Sequence, residues 1–272
     1  MRDSDRSASH HFGGFVCASL ATDVSRRIAF SKSFSDPALF RIVESIDGRG
    51  WSEEDADALV TPELRDLRRR EVSNGKLWIG PPAIACALTH RDRLLAAAEN
   101  DDVILCEDDA RLSRDFIDAW QSQSVRTMFR DCGGVVLAYY RANLPILTEI
   151  QPRATFGRFG IYRLMSEHIM SAVTYYCPPA IARDIRQLQR PIATSADNWQ
   201  TFQKRIGFDG VYLIHPSPVQ LMPFASSIGY STHWLARRND VISRMARKLR
   251  RQFLRPSYVV FDSISNSQDL CK

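Results

Sequence analysis

The chain has 272 residues, of which 44% are hydrophobic and 25% are charged. This length and composition are typical of a globular protein with a substantial buried core, and they exclude wholesale disorder. The net charge of +5 favours acidic partners, namely nucleotides, nucleic acid or an anionic membrane surface, but it does not choose among them.

Cysteine usage and hydropathy predict a cytoplasmic protein. The six cysteines are scattered, with no CxxC or Cys/His spacing typical of a zinc site. Cys86 lies in an apolar run, where a free thiol is expected to pack as a small hydrophobic side chain. The first 14 residues lack the apolar segment of a signal peptide, and no run is long enough to span a bilayer. A reducing compartment is the simplest interpretation.

A strand followed by a helix is predicted first along the chain. Residues 15–20 suit a strand, and Asp23 is one of two possible N-caps for a helix that continues to about Phe34. This order is typical of a mononucleotide-binding unit. Arg26 and Arg27 fall in the first turns of the helix, where they and the exposed backbone N–H groups could hold a diphosphate. Two solvated arginines are the alternative.

The next stretch predicts a second strand and a charged elaboration. Residues 40–46 suit the strand, and residues 51–70 carry leucines at intervals that allow a helix. The basic run at residues 68–70 is expected to form a solvated face. These residues therefore add structure to the domain but suggest no chemistry.

A helix and a short strand then lead to the most informative stretch. The helix is predicted to begin at Pro81-Pro82 and to end at about Glu99, with His90 on it as a packing residue. Residues 103–106 are apolar and run directly into the acidic triplet of residues 107–109. The triplet is therefore predicted to lie at the end of a strand.

The acidic triplet suggests a cation. An apolar run this short favours a strand buried on both faces of a parallel sheet, so that the acids emerge at its carboxyl end, where open α/β sheets bind ligands. Three adjacent acids repel one another, and a cleft that presents them usually neutralises them with a divalent ion. A solvated acidic turn that caps a helix is the alternative.

Beyond the triplet the pattern alternates between helices and strands. Ser195 is a plausible N-cap and places Asp197 in the first turn of its helix, where the macrodipole stabilises a carboxylate without any catalytic role. The other predicted elements are helices over residues 113–128 and 178–188 and strands over residues 135–140, 171–176 and 211–214.

The C-terminal part of the chain is strongly basic. Residues 237–255 contain eight Lys or Arg and a single acid, Asp240, and apolar residues recur there at four-residue spacing. Such an amphipathic helix can lie on anionic lipid, where each basic residue contributes roughly 1 kcal/mol. Nucleic-acid binding and a merely solvated helix are the alternatives.

Three blocks, in this order, resemble glycosyltransferase family 25, the lipooligosaccharide galactosyltransferase family. The first, residues 17–27, is similar to the family's opening strand and its double-arginine helix. The second, residues 84–90, resembles a helix that ends in a hydroxyl residue and histidine, and the third, residues 103–110, an apolar strand that ends in Glu-Asp-Asp. Weaker similarity extends the likeness over most of the chain.

The resemblance implies a GT-A-like α/β fold, a single Rossmann-type nucleotide-sugar-binding domain at residues 15–233, with a flexible lead at residues 1–14 and a basic helical tail at residues 234–272. It implies inverting transfer of a sugar, most often galactose from UDP-galactose, onto a lipooligosaccharide or other glycan acceptor. A lipid-linked oligosaccharide acceptor would place the protein at the cytoplasmic face of the inner membrane, through residues 237–255. Nucleic acid is the less favoured partner.

The resemblance also implies roles for individual residues. A divalent cation, Mn²⁺ or Mg²⁺, would bind Asp109 directly, with Glu107 contacting a metal-bound water or the ribose. The remaining donor-site residues would be Arg26, Arg27, His90 and Asp108, and the catalytic base would be Asp197 or, second, Glu167. The competing hypotheses are a metal-dependent phosphoryl-transfer or hydrolase domain and a non-enzymatic basic module that binds membrane or nucleic acid.

Overall fold

The computed structural model describes residues 12–73, 79–142, 146–166, 169–224 and 258–261. Its strands are β1 (Phe15–Ser19), β2 (Phe40–Glu44), β3 (Ile104–Glu107), β4 (Ala110–Leu112), β5 (Val135–Leu137), β6 (Arg141–Ala142), β7 (Ile146–Glu149), β8 (Ala154–Phe156), β9 (Phe159–Arg163), β10 (Ile169–Met170), β11 (Thr174–Tyr176), β12 (Val211–His215), β13 (Val219–Leu221) and β14 (Tyr258–Phe261).

The helices are α1 (Val24–Ser31), α2 (Glu53–Asp57), α3 (Pro62–Ser73), α4 (Pro81–Thr89), α5 (Leu95–Ala98), α6 (Arg114–Trp120), α7 (Gln123–Asp131), α8 (Pro179–Leu188) and α9 (Trp199–Ile206). A 3₁₀ turn covers Pro37–Leu39, and a π-helical turn, His90–Leu94, joins α4 to α5. In the described ranges, no helix combines the length and the apolar character that crossing a bilayer requires.

Eight strands form the central sheet in the order β2-β1-β3-β11-β5-β12-β9-β8. Strands β2, β1 and β3 are parallel to one another, and β5 is parallel to β12. Strand β11 runs antiparallel to both β3 and β5, and β9 runs antiparallel to both β12 and β8. Six of the eight strands therefore share one direction, which confirms the predicted α/β class.

Helices cover both faces of the sheet because its strands send alternate side chains to opposite sides. In β1, Val16 and Ala18 join one apolar cluster, whereas Phe15 and Cys17 join another. Helices α5, α8 and α9 contribute buried residues to the first cluster, and α1, α6 and α7 contribute to the second. This layering leaves the ends of the strands as the natural place for a ligand.

The surroundings of β3 differ in part from the prediction. The strand is buried over residues 104–106 and is parallel to β1, as predicted. Its other neighbour, β11, is antiparallel, so the prediction of a parallel neighbour on both sides was wrong for that side. After the acidic triplet the chain forms β4, which pairs with β13, before any helix begins. The single helix predicted over residues 113–128 is two helices, α6 and α7.

The prediction of a solvated face at residues 68–70 was wrong for Arg68. Its side chain is only 2% exposed and forms ion pairs with Asp57 and with Glu53, the latter at 2.6 Å. Its Nε also donates to the carbonyl of Ile79 at 2.8 Å. These partners compensate the buried charge, whereas the adjacent Arg69 is 67% exposed.

Candidate functional site

A pocket opens where β1 and β3 end. Because the two strands are parallel and in register, their last residues, Ser19 and Glu107, lie at the same edge of the sheet. The pocket encloses about 580 Å³, part of it open to solvent, and its walls come from the β1–α1 turn, the loop after β2 and helix α4.

The lining of this pocket is strongly polar. Four acids lie in it together with two arginines and a histidine: Asp23, Asp47, Glu107, Asp108, Arg26, Arg49 and His90. The acids outnumber the arginines, so an anionic ligand would need a cation as well as the arginines to be held there.

Arg26 is positioned by a buried carboxylate. Its Nη1 forms an ion pair with Asp108 Oδ1, and the two side chains are only 11% and 7% exposed. Ser19, at the end of β1, donates its hydroxyl to Asp108 Oδ2 at 2.6 Å. Burial raises the pKa of Asp108, and Ser19 and Arg26 act against that rise. Asp108 therefore joins β1, α1 and β3 and fixes the Arg26 guanidinium at the pocket wall.

The neighbouring Arg27 has a different environment. Its Nε donates to the carbonyl of Leu20 at 3.0 Å, and its Nη2 donates to the carbonyl of Ser19 at 2.9 Å. Both carbonyls lie where β1 ends and the chain turns toward α1. Of the two predicted arginines, Arg26 lines the pocket and Arg27 supports its wall.

His90 connects the pocket to the core of the sheet. It begins the π-helical turn after α4 and is 3% exposed. Its Nδ1 lies 2.9 Å from the Tyr175 hydroxyl and its Nε2 lies 3.1 Å from Glu107 Oε1. The histidine thus packs as expected, and it also fixes the carboxylate that ends β3. Local π-helical geometry is frequent at functional sites.

The loop after β2 is held against α4. Thr89 Oγ1 accepts a hydrogen bond from the Ile46 amide at 2.9 Å and donates to the Ala85 carbonyl at 2.9 Å. A Cβ on Gly48 would lie 2.6 Å from Ala85 Cβ and 2.7 Å from the Pro81 carbonyl oxygen, so only glycine allows this approach. One wall of the pocket therefore depends on close contact between the backbone of the loop after β2 and helix α4.

Asp109 has an unusual environment. Its Oδ1 is buried and has no hydrogen-bond partner among the described residues. Burial, together with the negative charges of Glu107 and Asp108, raises the pKa of Asp109 to about 7, and Arg26 acts in the opposite direction. A carboxylate oxygen left in this state could be satisfied by a cation.

The helix next to Asp197 begins later than predicted. Helix α9 starts at Trp199, and its N-cap is Asn198, which accepts a hydrogen bond from the Thr201 amide at 3.3 Å. The predicted cap at Ser195 was therefore wrong, and Asp197 precedes the helix and does not lie in its first turn.

Asp197 nevertheless lies near the pocket residues. Burial raises its pKa, and a hydrogen bond from Ser195 lowers it. Glu107 further raises this pKa and His90 lowers it, so both side chains are its electrostatic neighbours. Glu167, the second predicted base, and residues 237–255 lie outside the described residues, and the predictions made for them stay predictions.

The structure adds residues that the sequence did not indicate. Ser19 could have been found, because it lies next to the end of a predicted strand and therefore at the ligand-binding edge. Cys86 could also have been found, since it precedes His90 by four residues and shares its helical face. Tyr175 gave no signal, because its contact with His90 depends on the antiparallel placement of β11.

Comparison with known proteins adds no relative. A scan against protein-family models finds no match for this chain, and a search of curated proteins also finds none.

Proposed function

We propose that this protein is an inverting glycosyltransferase that moves a sugar, galactose from UDP-galactose in the first instance, onto a lipooligosaccharide or other glycan acceptor. The observation that carries the proposal is the convergence of Arg26, His90 and the acids of residues 107–108 on one pocket. Each comes from a different one of the three sequence blocks that resemble glycosyltransferase family 25. Blocks that are distant in sequence and adjacent in space are the pattern expected of a binding site.

In this proposal the donor diphosphate is held at the β1–α1 turn. Arg26 provides the positive charge, and its pairing with Asp108 orients the guanidinium before any ligand arrives. Asp23 and Asp47 also line the pocket, and their carboxylates are acceptors suited to ribose hydroxyl groups. The finer description of the fold as a GT-A-like nucleotide-sugar-binding domain belongs to the same proposal.

The residues fit a divalent cation. Carboxylate oxygens are the ligands that Mg²⁺ and Mn²⁺ prefer. The buried Oδ1 of Asp109, which has no partner within the described ranges, is the group that a cation would satisfy. Asp109 and Glu107 would hold the ion, whereas Asp108 is already bonded to Ser19 and Arg26. When bound, such an ion stabilises the negative charge that develops on a leaving nucleoside diphosphate.

Asp197 is the proposed base that takes the proton of the acceptor hydroxyl. Burial raises its pKa, which makes the carboxylate a stronger proton acceptor once it is ionised. Glu167 remains the second candidate. Arg27, which the resemblance assigns to the donor, acts in this proposal by holding the carbonyls at the end of β1.

The basic segment at residues 237–255 completes the proposal. A lipid-linked acceptor would be presented at the cytoplasmic face of the inner membrane, and a segment that binds anionic lipid would raise the local concentration of enzyme at that acceptor. The proposed location is therefore cytoplasmic and peripheral to that membrane.

A thermal-shift panel tests this proposal. UDP-galactose, UDP-glucose and UDP-N-acetylglucosamine are each added with and without Mn²⁺, because a ligand that binds the folded chain at 100 times its Kd adds about 2.7 kcal/mol to the free energy of unfolding. We expect UDP-galactose to raise Tm and Mn²⁺ to increase that shift. Asp109→Ala should abolish the Mn²⁺-dependent part of the Tm shift. Asp115→Ala, which replaces an exposed acid on α6, should retain that part.

Two results would count against the proposal. If no UDP-sugar shifts Tm in either condition, the nucleotide-sugar site is wrong. If the protein releases phosphate from nucleotides without any sugar acceptor, the phosphoryl-transfer or hydrolase hypothesis replaces it.

A further inference from the structure

Three potential metal ligands meet in the wall of the pocket. The Cys86 thiol, a ring nitrogen of His90 and a carboxylate oxygen of Glu107 all lie within 4.8 Å of one another. Cys86 and His90 are four residues apart along α4 and its π-helical extension, so they share one helical face, and Glu107 comes from the end of β3. The cluster thus joins two separate elements of the fold.

We propose that Cys86, His90 and Glu107 form a binding site for a soft divalent cation, with Zn²⁺ as the best match. Thiolate, imidazole and carboxylate are the three ligand types that zinc uses in proteins, and three protein ligands with one open position are typical of accessible zinc sites. Mg²⁺ and Ca²⁺ prefer oxygen ligands only, so a sulfur and a nitrogen select against them.

The spacing of the ligand atoms suits one ion after a small adjustment. Ligand atoms around a tetrahedral zinc ion, with bonds of roughly 2.0–2.3 Å, stand about 3.3–3.8 Å apart. His90 Nε2 and Glu107 Oε1 are 3.1 Å apart, and the largest separation in the cluster is 4.8 Å or less. A displacement of at most about 1 Å therefore brings the three atoms into the range that zinc requires.

The second nitrogen of His90 already has the partner that a zinc ligand needs. A histidine that binds metal through one ring nitrogen almost always donates a hydrogen bond from the other. His90 Nδ1 lies 2.9 Å from the buried hydroxyl of Tyr175, which can accept from an N–H as well as donate to a bare nitrogen. When Nε2 binds the metal, the ring proton is on Nδ1. The tyrosine hydroxyl then needs only to rotate its hydrogen away, so that its oxygen accepts from Nδ1–H.

The surroundings favour a cation at this position. All three side chains line the open pocket, so an ion can reach them from solvent. Burial and the nearby charges of Glu107, Asp197 and Asp109 raise the pKa of the Cys86 thiol. A bound cation would offset those negative charges and release the thiol proton on binding.

This soft site differs from the oxygen site proposed at Asp109 in its other ligands and shares Glu107 with it. It does not depend on the glycosyltransferase proposal, because it rests on the ligand set alone. Zinc binding in the absence of any UDP-sugar response would leave this inference intact and remove only the proposed function. A UDP-sugar response without zinc binding would support the proposed function and overturn the zinc inference.

Titration of the full-length, reduced chain with Co²⁺ tests the inference. Co²⁺ accepts the ligands of zinc and gives a near-ultraviolet thiolate-to-cobalt charge-transfer band when a cysteine is bound. We expect one equivalent of Co²⁺ to produce this band and Zn²⁺ to displace it. Cys86→Ser should abolish the band. His90→Gln removes a direct ligand and should weaken Co²⁺ binding by more than the roughly 10–100-fold that loss of an outer-shell partner costs.

Two controls locate the signal. Cys271→Ser removes a thiol far along the chain from the cluster, and Asp109→Asn removes the proposed oxygen-site ligand, so the charge-transfer band should persist in both. Circular dichroism establishes that each variant is folded. Absence of the band in the wild-type chain, or its persistence in Cys86→Ser, would overturn the inference.

Discussion

Glu107, Asp108 and Asp109 follow one another in sequence but have three different environments. Glu107 faces His90, and Asp108 is bonded to Ser19 and Arg26. One buried oxygen of Asp109 has no hydrogen-bond partner in the part of the chain that the structure describes. They diverge because the strand ends at Glu107 and the next two residues turn toward β4. The role of each acid is therefore decided by what other elements bring to it.

Asp109 should make the stability of the metal-free protein depend on pH. Its pKa rises from an ordinary value of 3.8 to about 7 on folding, so the folded state binds more protons than the unfolded state between these values. Stability from this group falls as pH rises from about 4 to 7 and is constant above. Asp109→Asn cannot ionise, so it removes this fall in stability. The substitution should raise the free energy of unfolding by about 1–3 kcal/mol at pH 8 but not at pH 4, as measured by urea unfolding in EDTA.

Asp115→Asn is the matched control for this prediction. Asp115 is 65% exposed and lies 3.2 Å from Arg158, so its neutralisation should change the free energy of unfolding by less than about 1 kcal/mol at either pH. A stabilisation by Asp109→Asn that is equal at pH 4 and pH 8 would contradict the assignment of a raised pKa to Asp109.

Single residues were predictable where local pattern and topology agree. Glu107 was expected near a ligand because it ends a strand, and Arg26 could be, because it lies in the first turns of the helix that follows one. His90 was predicted from its pattern to be a packing residue, and only the family resemblance placed it near the donor. Arg68 could not be predicted as buried, because burial depends on Asp57 and Glu53 turning back toward it. A run of three arginines looks the same from sequence whether or not one of them finds such partners.

At the scale of elements, the pocket depends on the contact between the loop after β2 and helix α4. Gly48→Ala places a Cβ 2.6 Å from Ala85 Cβ and 2.7 Å from the Pro81 carbonyl oxygen, which forces the loop away from the helix. We expect a loss of about 1–3 kcal/mol in the free energy of unfolding, measured with urea, because overpacking of this kind displaces backbone.

Gly50→Ala separates this contact from the general effect of replacing a glycine. A Cβ at position 50 has no described atom within 4 Å, so the free energy of unfolding should stay the same or rise by up to roughly 1 kcal/mol. Equal destabilisation by the two substitutions would show that loss of glycine freedom, and not the contact with α4, is responsible.

Elements with a strong local signal were predicted well, and elements that need a distant partner were not. Helix α8 begins at Pro179 and ends at Leu188, as the proline pair and the apolar spacing predict. Strand β4 was missed, because it exists only through its pairing with β13, more than a hundred residues away. The start of the following helix was predicted correctly, because α6 begins at Arg114 with Ser113 as its N-cap.

At the scale of the whole molecule, the basic charge is concentrated in one segment. Residues 237–255 hold eight basic residues and one acid, a net charge of +7, whereas the whole chain carries +5. The rest of the chain therefore has a net charge of −2. This agrees with a pocket whose acids outnumber its arginines. The positive net charge of the chain therefore comes from the segment and not from the domain that contains the pocket.

This uneven charge predicts where the protein binds anionic lipid. The segment lies outside the described residues, so the prediction rests on sequence alone. Neutralising Arg247, Lys248, Arg250 and Arg251 to Gln should weaken binding to vesicles that contain phosphatidylglycerol by up to about 4 kcal/mol, on the order of 10²–10³-fold in Kd, because each basic residue contributes roughly 1 kcal/mol at such a surface. Co-sedimentation with vesicles at low salt measures the change.

A control of equal charge tests whether position matters. Arg111, Arg183, Lys204 and Arg205 are exposed on the folded domain, and their replacement by Gln removes the same four charges. If binding comes from the segment, this variant should keep most of its affinity for anionic vesicles, and neither protein should bind phosphatidylcholine vesicles. If both variants lose affinity equally, net charge alone drives binding, and the segment has no special role in bringing the pocket to a membrane.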